Sequence, residues 1–453
     1  MTIPFERKLI DLSCSLNRPL YAVGGVVRNF LLDRSVSNDI DLAAAIPAEE
    51  VKLAATKCGF KTLAEYKRTG TVTFTDGVNR YEYTAFRRDS YKGGTHRPTE
   101  TQFTDSIEED ALRRDFKCNA IYYDIKDGKI IDLLGGVADV KTHTLDTVDK
   151  PEKVFSEDGL RLMRLARFTG ELNFTPTKEV ISAARANSIN IKDISPERIL
   201  TELNAILICD KKYHFSDAMG HYRALRVLDE TRVLDIIMPE LTEGRGMAQR
   251  ADFHKYDVLE HSLRSVAYAD PKVRLAALLH DVGKPYCFKR DGYYYHHFSE
   301  GERIAEKVLK RLRASKSTIK TVKFLVREHM VDLDCSMKES KVRKFLIKNF
   351  EYLEELLMVK QADFRASLEV EYTAPTLVKW RKILSVMKVD GTPFNLKELN
   401  ISAEELIKLG YKDKQIGKEL KSLFDYAVTY PDKNVNCLLM NKAEKDLKKL
   451  REN

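Results

Sequence analysis

Hydrophobic and polar positions change their rhythm once along this chain. Up to about residue 150, short β-branched and aromatic runs at 20–23, 71–74, 80–86 and 121–125 are separated by glycine and Asp-Gly turns, which predicts a small mixed sheet with helices. After Pro151 the repeat becomes helical almost without interruption. Val154 to Phe168 reads as one amphipathic helix and Pro196 to Ile208 as another. The expected fold class is α+β, with an α/β head feeding a long all-α remainder. Gly244-Arg-Gly246 suggests a further boundary, after which histidines cluster between His254 and His329. From about residue 367 the chain is Lys/Glu-rich and amphipathic, broken at Gly410 and Gly417.

A length of 453 residues exceeds what one hydrophobic core usually supports, so two to four domains are expected. The 76 Lys+Arg outnumber the 68 Asp+Glu to give a net charge of +8, which suits a polyanionic partner without requiring one. Seven cysteines, odd in number and without a C-x-x-C pair, argue against a disulfide framework or a cysteine zinc site and read as reduced, buried thiols. No apolar run approaches the roughly 20 residues a membrane helix needs, and the first residues lack a signal-peptide core. A soluble, cytoplasmic protein with no membrane partner is expected.

The densest chemistry lies between Tyr21 and Leu42. A strand ends at Gly24-Gly25, whose missing side chains let backbone N–H groups approach a phosphate, and a helix follows with Arg28 in its first turns. Asp39-x-Asp41 sits on an extended stretch, where residues two apart face the same way and can share divalent ions such as Mg2+. Two ions so held activate an attacking 3′-hydroxyl and neutralise a leaving pyrophosphate. Glu82, on a later strand, is the candidate third catalytic carboxylate.

Gly24-Gly25-x-x-Arg28, ten residues, then Asp39-x-Asp41 resembles the polymerase-β-type nucleotidyltransferase signature, and the following motifs narrow the resemblance to the bacterial-type (class II) CCA-adding tRNA nucleotidyltransferases. Asn29 departs from the Asp usual in that family, and Lys117-Cys118 depart before Asn119. Glu108 to Ala120 is similar to the family's ribose-binding motif; by that resemblance Asp115 or its neighbours, with Asn119 at its matching place, contact ribose while Arg113 and Arg114 hold triphosphate. Glu157 to Phe168 matches the segment that selects the base, with Asp158 and Arg161 expected side by side on one helical face and Arg164 and Arg167 joining them in nucleotide binding. A carboxylate accepting from an exocyclic amino group, beside a guanidinium donating to a ring nitrogen, suits C and A. It leaves U and G with unpaired polar groups at about 1–3 kcal/mol each. Glu197 and Arg198 are expected to brace the pocket.

Within the family, Lys67 to Phe74 is similar to the Gly-Thr-Val strand of CCA-adding enzymes, and the long Arg87 to Pro98 loop with its Gly-Gly hinge suits a pocket that switches between bases. The resemblance thus implies addition and repair of CCA from CTP and ATP. The alternatives left open are an A-adding tRNA nucleotidyltransferase and a poly(A) polymerase. His261, His280, Asp281 and Asp363 match the metal positions of an HD domain, with His297 and His329 at positions that hold a second ion in some members. Imidazole and carboxylate together suit Ni2+ or Mn2+, and a phosphohydrolase activity is the associated expectation. The implied layout is a polymerase-β-type nucleotidyltransferase head at 1–150, a helical neck at 151–248, an HD body at 249–366 and a helical tail at 367–453. The tRNA is expected to be held at its acceptor arm and elbow through shape and phosphate contacts, by a monomer or a homodimer.

Overall fold

The structure, a computed structural model, describes residues 2–34, 38–90, 100–213, 219–250, 252 and 254–452. Two compact units emerge, the first comprising 1–243 with 308–314 and the second 244–307 with 315–453.

The first unit opens with the expected mixed sheet. In chain order its strands are β1 (Tyr21–Val23), β2 (Asp39–Ala44), β3 (Lys61–Tyr66), β4 (Thr71–Thr75), β5 (Arg80–Ala85), β6 (Arg87–Ser90), β7 (Glu100–Phe103), β8 (Tyr122–Asp124) and β9 (Ile130–Ile131). Seven of them form one sheet in the order β3-β4-β5-β2-β1-β8-β9, while β6 and β7 pair as a separate ribbon. Only β2 and β5 run parallel in the large sheet, with Asp39 opposite Arg80 and Asp41 opposite Glu82. Alternation fixes which side chains face out. Ile40, Leu42, Tyr81 and Tyr83 are buried on one face while Asp39 and Asp41 stay exposed on the other, so a strand half-buried by its period-two pattern delivers two carboxylates to one surface.

Helices take over after Pro151, but Val154 to Phe168 is not one helix. It divides into Pro151–Glu157 and Leu160–Leu172, with Asp158 extended at φ −142°, ψ 107° between them. The cause is local. A Cβ on Gly159 would lie 2.2 Å from the Asn190 carbonyl oxygen, so the backbones approach where only glycine fits, and the Asp158 carboxylate accepts from the N–H of Leu160, the first residue of the second helix, at 2.9 Å. Asp158 and Arg161 are therefore not an i,i+3 pair on a continuous helical face. The helix Pro196–Leu207 forms as expected, with proline at its start.

The second unit is helical. Trp380 is fully buried and donates from its indole Nε1 to Asp332 at 2.8 Å. Among the described residues no helix is long and apolar enough to cross a membrane. All seven cysteines are free, but only Cys118, Cys209 and Cys287 are buried, while Cys14 and Cys437 are exposed.

Candidate active site

One cavity of about 980 Å³ in the first unit is lined by Gly24, Gly25, Arg28, Asp39, Asp41, Arg113, Arg114, Asp115, Asn119, Asp158, Arg161, Arg164 and Arg167. Residues picked from four separate stretches of sequence thus converge on a single space. Glu82 faces a smaller adjoining cavity of about 360 Å³ that also takes in Asp41, Arg113 and Arg114.

The acidic face is set by the sheet. Gly24 ends β1 at φ +74°, and a Cβ there would stand 3.3 Å from the Asp41 Oδ2, so a side chain would be strained and would crowd the carboxylate. Although solvent reaches Asp41, protein surrounds it at the cavity floor. That desolvation, with Glu82 and Asp39 adding negative charge, raises its pKa to about 6 against the pull of Arg114. The Arg80 guanidinium stands 3.6 Å from both Asp39 and Glu82. The oxygens of Asp39, Asp41 and Glu82 do not all lie within 4.8 Å of one another; among the described residues that condition is met only in the second unit. Their all-oxygen donor set, open to solvent, nonetheless fits a hard cation such as Mg2+.

Beside the carboxylates, the arginines are held from behind. Asp110 is fully buried and accepts from Arg113 Nε at 2.7 Å, Arg114 Nη2 at 2.9 Å and the Tyr122 hydroxyl at 2.6 Å. Burial alone would raise its pKa, yet Arg114 and Arg113 hold it at about 2. A second chain runs across the pocket. Arg164 Nε donates to Asp115 at 2.6 Å, Asn119 Nδ2 donates to Asp115 at 3.1 Å, and Arg28 donates to the Asn119 side-chain oxygen. Arg28, Arg164 and Arg167 also surround the Phe168 ring, at 5.5, 5.1 and 4.5 Å from its centroid.

Asp158 and Arg161 both line the cavity, but each has protein partners. Arg161 Nη1 donates to the Val154 carbonyl at 3.0 Å and to Glu157 at 3.1 Å, and its Nη2 donates to the Arg113 carbonyl at 2.7 Å. Burial raises the Asp158 pKa, partly offset by its bond from Leu160 N–H and by Arg161. Arg198 lines the cavity as expected, whereas Glu197 does not. Its side chain is 62% exposed and stands 4.0 Å from Arg313.

Sequence reasoning missed Arg68, Thr69, Lys212 and Tyr213 in the lining. Lys212 and Tyr213 follow a helix with no motif to mark them. Tyr213 donates its hydroxyl to Asn29 at 3.0 Å, which gives the residue departing from the family pattern a partner. The Gly-Gly hinge of the Arg87 to Pro98 loop lies outside the described residues.

In the second unit, His261, His280 and Asp281 form one ligand-like group and Asp281, His297 and His329 another, all buried. The two groups share a carboxylate. Asp281 Oδ2 lies 3.4 and 3.2 Å from the Nε2 atoms of His261 and His280, while its Oδ1 lies 3.3 and 3.7 Å from those of His297 and His329. Asp363 adds an oxygen 3.0 Å from His261 and 3.5 Å from His280. Three rings are locked from behind: Nδ1 of His280, His297 and His329 donates to the carbonyls of Ala277, Tyr294 and Val326 at 2.7, 2.8 and 2.8 Å. A neutral ring so bonded turns a bare Nε2 inward, as a transition-metal ligand requires. Burial would lower the His280 pKa, but Asp281 and Asp363 outweigh it and raise it to about 10, a field that equally suits a divalent ion. Lys284, 2.6 Å from Asp281, and His254, whose ring centroid is 4.8 Å from that of His261, are further neighbours.

Comparison with known proteins agrees with this division. Residues 20–146 match the poly A polymerase head domain, 173–244 the probable RNA and SrmB-binding site of polymerase A, and 258–363 the HD domain. The CCA-adding enzyme of Lactobacillus helveticus is 42% identical over 182 residues, 40% of this chain and 44% of that enzyme, so the chain matches less than half of that relative's length. An A-adding tRNA nucleotidyltransferase of Deinococcus radiodurans is 31% identical over 364 residues, 76% of each chain. The fold resembles that of the Bacillus stearothermophilus CCA-adding enzyme solved with CTP, at TM-score 0.66 and 22% identity over 98% of this chain and all of that one. It also resembles the Thermotoga maritima CCA-adding enzyme solved with tRNA, at TM-score 0.61 and 17% identity over 97% and 94% of the two chains. With a nucleotidyltransferase head, an RNA-binding segment and an HD domain in this order, and a relative matched across three-quarters of both chains, the chain belongs to the bacterial-type (class II) tRNA nucleotidyltransferases.

Proposed function

We propose that this chain adds and repairs the CCA end of tRNA, taking CTP and ATP and releasing pyrophosphate. The observation that carries the reading is the single cavity in which the Asp39–Asp41 face, the arginine wall and the Asp158–Arg161 pair meet. In this reading Asp39, Asp41 and Glu82 present a negative face to two Mg2+ ions, which supply activation of the 3′-hydroxyl and neutralisation of pyrophosphate. The remaining work falls to the chain itself. Gly24, Gly25 and Arg28 flank the phosphates, and Arg113 and Arg114, braced by Asp110, face the leaving group as its charge develops. Attack by the tRNA 3′-oxygen on the α-phosphorus forms one P–O bond and breaks the bond to the β-phosphate. The hydroxyl proton leaves for solvent.

Asp115 and Asn119 are the ribose candidates, with Arg164 and Arg167 closing the nucleotide side. Asp158 and Arg161 read the Watson–Crick edge, Arg161 exchanging its Glu157 partner for the base. Unpaired buried polar groups then penalise U and G. Incubating the protein with tRNA ending before CCA, after C or after CC, with each NTP, and sequencing the product ends tests this. Ordered C, C, A addition is expected. Addition of A to CC-ended tRNA alone would instead make it an A-adding enzyme like the Deinococcus relative, and long A tracts a poly(A) polymerase.

The Asp281-bridged pair of histidine groups favours a second activity, metal-dependent phosphoester hydrolysis, with Ni2+ or Mn2+ at His261, His280, Asp281 and Asp363 and a second ion at His297 and His329. Hydrolysis of bis(p-nitrophenyl) phosphate with either ion, lost in Asp281→Asn, is the expected result.

A further inference from the structure

Arg28 and Asn29 are neighbours on the helix Gly25–Leu31, each 3% exposed, and both line the catalytic cavity. Arg28 is gripped from two sides. Its Nη1 donates to the Asn119 side-chain oxygen, while its Nη2 donates to the Asn29 side-chain oxygen at 3.3 Å and to the Tyr213 hydroxyl at 3.5 Å. Tyr213 closes the second set, because its hydroxyl donates in turn to the same Asn29 oxygen at 3.0 Å. The guanidinium lies close over the Gly-Gly turn, with Nη2 3.6 Å from where a Cβ on Gly25 would stand. Its Nε has no hydrogen-bond partner among the described residues, so the buried cation keeps one donor for a ligand.

The chemistry of residue 29 gives the tyrosine its weight. A carboxylate beside a guanidinium offers two equivalent acceptor oxygens and a charge, so it holds the cation in either rotation. An amide does not. One end of Asn29 accepts and the other donates, and a half-turn of its side chain would set the Nδ2 donors against the Arg28 Nη2 donors. The Tyr213 hydroxyl opposes that half-turn. While its oxygen accepts from Arg28, its proton needs an acceptor, which Asn29 presents as Oδ1 and not as Nδ2. Arg28, Asn29 and Tyr213 thereby match each donor among them to an acceptor. The Arg34 guanidinium stands 4.4 Å from the centroid of the Tyr213 ring, so the hydroxyl is delivered by a ring that is itself placed.

We infer that Tyr213 is a positioning residue for nucleotide binding: it orients the Asn29 amide so that Arg28 is presented to the phosphates of the incoming nucleotide. It does for an amide what a carboxylate at position 29 would not require. This role rests on the reading of Arg28 as a phosphate-flanking group given above. It acts at the end of the nucleotide that CTP and ATP share, so it bears on affinity and not on which base is chosen.

A double-mutant cycle on the full chain tests it, with binding of CTP, ATP and inorganic tripolyphosphate measured by calorimetry and nucleotide addition followed on a tRNA transcript lacking CCA. Tyr213→Phe keeps the ring and removes the hydroxyl. It is expected to weaken all three ligands by one common factor, roughly 3- to 10-fold, the weight of one buried hydrogen bond. The KM for both nucleotides rises by that factor, while kcat changes little and the preference between C and A stays at the parent ratio. With Asn29→Asp already in place, the same change should cost no more than about twofold, because a carboxylate holds Arg28 without being oriented. An equal loss from Tyr213→Phe in both backgrounds would overturn the role and leave the hydroxyl as a structural contact. Unchanged tripolyphosphate binding in Tyr213→Phe would overturn it too, as would an altered preference between C and A, which would put the effect at the base. If Arg28→Ala binds tripolyphosphate as the parent does, the phosphate reading of Arg28 fails and the role of Tyr213 with it. A parent that completes the binding cycle as expected but adds nothing to tRNA would instead refute the functional reading and leave the role standing.

Discussion

The two candidate metal-binding regions set their carboxylates in different electrostatic surroundings. In the head, Asp41 faces Asp39 and Glu82 from an open strand surface, and desolvation with its acidic neighbours pushes its pKa up to about 6. In the second unit Asp281 is buried and Asp363 partly so, which alone would raise them, yet His280 with Lys284 holds Asp281, and His261 with His280 holds Asp363, well below the usual carboxylate range. The head site is open and crowds its carboxylates beside an arginine wall, as suits ions that enter with a nucleotide. The second site is enclosed and locks three of its rings from behind, as suits a resident ion. Preorganisation therefore comes from backbone carbonyls in one region and from sheet register in the other.

The sharpest way to break that comparison is to remove carboxylates from each side. Asp39→Ala/Asp41→Ala should lower single-turnover nucleotide addition by ~10³-fold or more, measured by rapid quench, because no other group in the cavity replaces the charge. Its melting temperature should not fall, since like charges have been taken apart. Asp281→Asn should do the reverse. It leaves nucleotide addition intact, abolishes phosphodiester hydrolysis and costs roughly 3–5 kcal/mol of stability, because four buried imidazoles lose their shared carboxylate. Equal stability losses in both variants would erase the distinction.

Next in size is the frame behind the arginine wall. Asp110→Asn leaves two guanidinium groups facing a neutral amide, and a loss of about 3 kcal/mol is expected in urea unfolding at pH 7. The folded pKa of Asp110 is depressed to about 2, so its contribution is complete above the ordinary value near 3.8 and fades as pH falls toward 2. Parent and variant should accordingly converge over that window and differ by a constant amount above it.

Much of the head was legible from the chain because its rules are local. Strand alternation put Asp39 and Asp41 on one face, and a carboxylate on a later strand marked Glu82 as a partner, though not its register opposite Asp41. What could not be read depends on distant backbone. The break at Asp158 comes from the Asn190 carbonyl closing on Gly159, an approach between segments about 30 residues apart that no helical periodicity encodes. Glu197 and Arg198 are adjacent, yet only Arg198 reaches the cavity, because neighbours on a helix point about 100° apart. Lys212 and Tyr213 escaped notice since no spacing rule marks a loop that tertiary packing folds over Asn29. In the second unit the histidines were visible as a set, whereas the bridging use of both Asp281 oxygens and the carbonyl locks were not.

A third test asks whether the second unit is as rigid as the comparison implies. Lys360 is 1% exposed and donates to the carbonyls of His329 and Val331, both at 2.7 Å, tying the chain behind the His329 ring to the helix Leu353–Leu368. Lys360→Met leaves both acceptors unmatched, and a loss of about 1–3 kcal/mol is expected. Burial lowers the Lys360 pKa to about 8. Between pH 8 and its ordinary 10.5 the folded chain therefore binds fewer protons than the unfolded one, so parent stability rises with pH in that window. In Lys360→Met this rise should vanish. A variant whose stability still climbs would place the titration elsewhere.

The smallest effect separates a raised carboxylate that belongs to a site from one that does not. Asp139, like Asp41, is raised to about 6, first by burial and then by Asp146 and Asp132, against the pull of Lys117. Its Oδ2 has no hydrogen-bond partner, and it lines neither cavity around the acidic face. Because the folded pKa lies above the ordinary 3.8, the folded chain binds more protons than the unfolded one between about pH 4 and 6, and stability falls as pH rises through that range. Asp139→Asn should remove the fall and gain on the order of 1 kcal/mol above pH 6, discounted for partial solvent access. Nucleotide addition should not change. Asp41→Asn shares the relief but loses addition, so the two variants together show that a raised pKa in this head marks a desolvated carboxylate with like charge nearby. It becomes a catalytic feature only where the sheet turns that charge into a cavity.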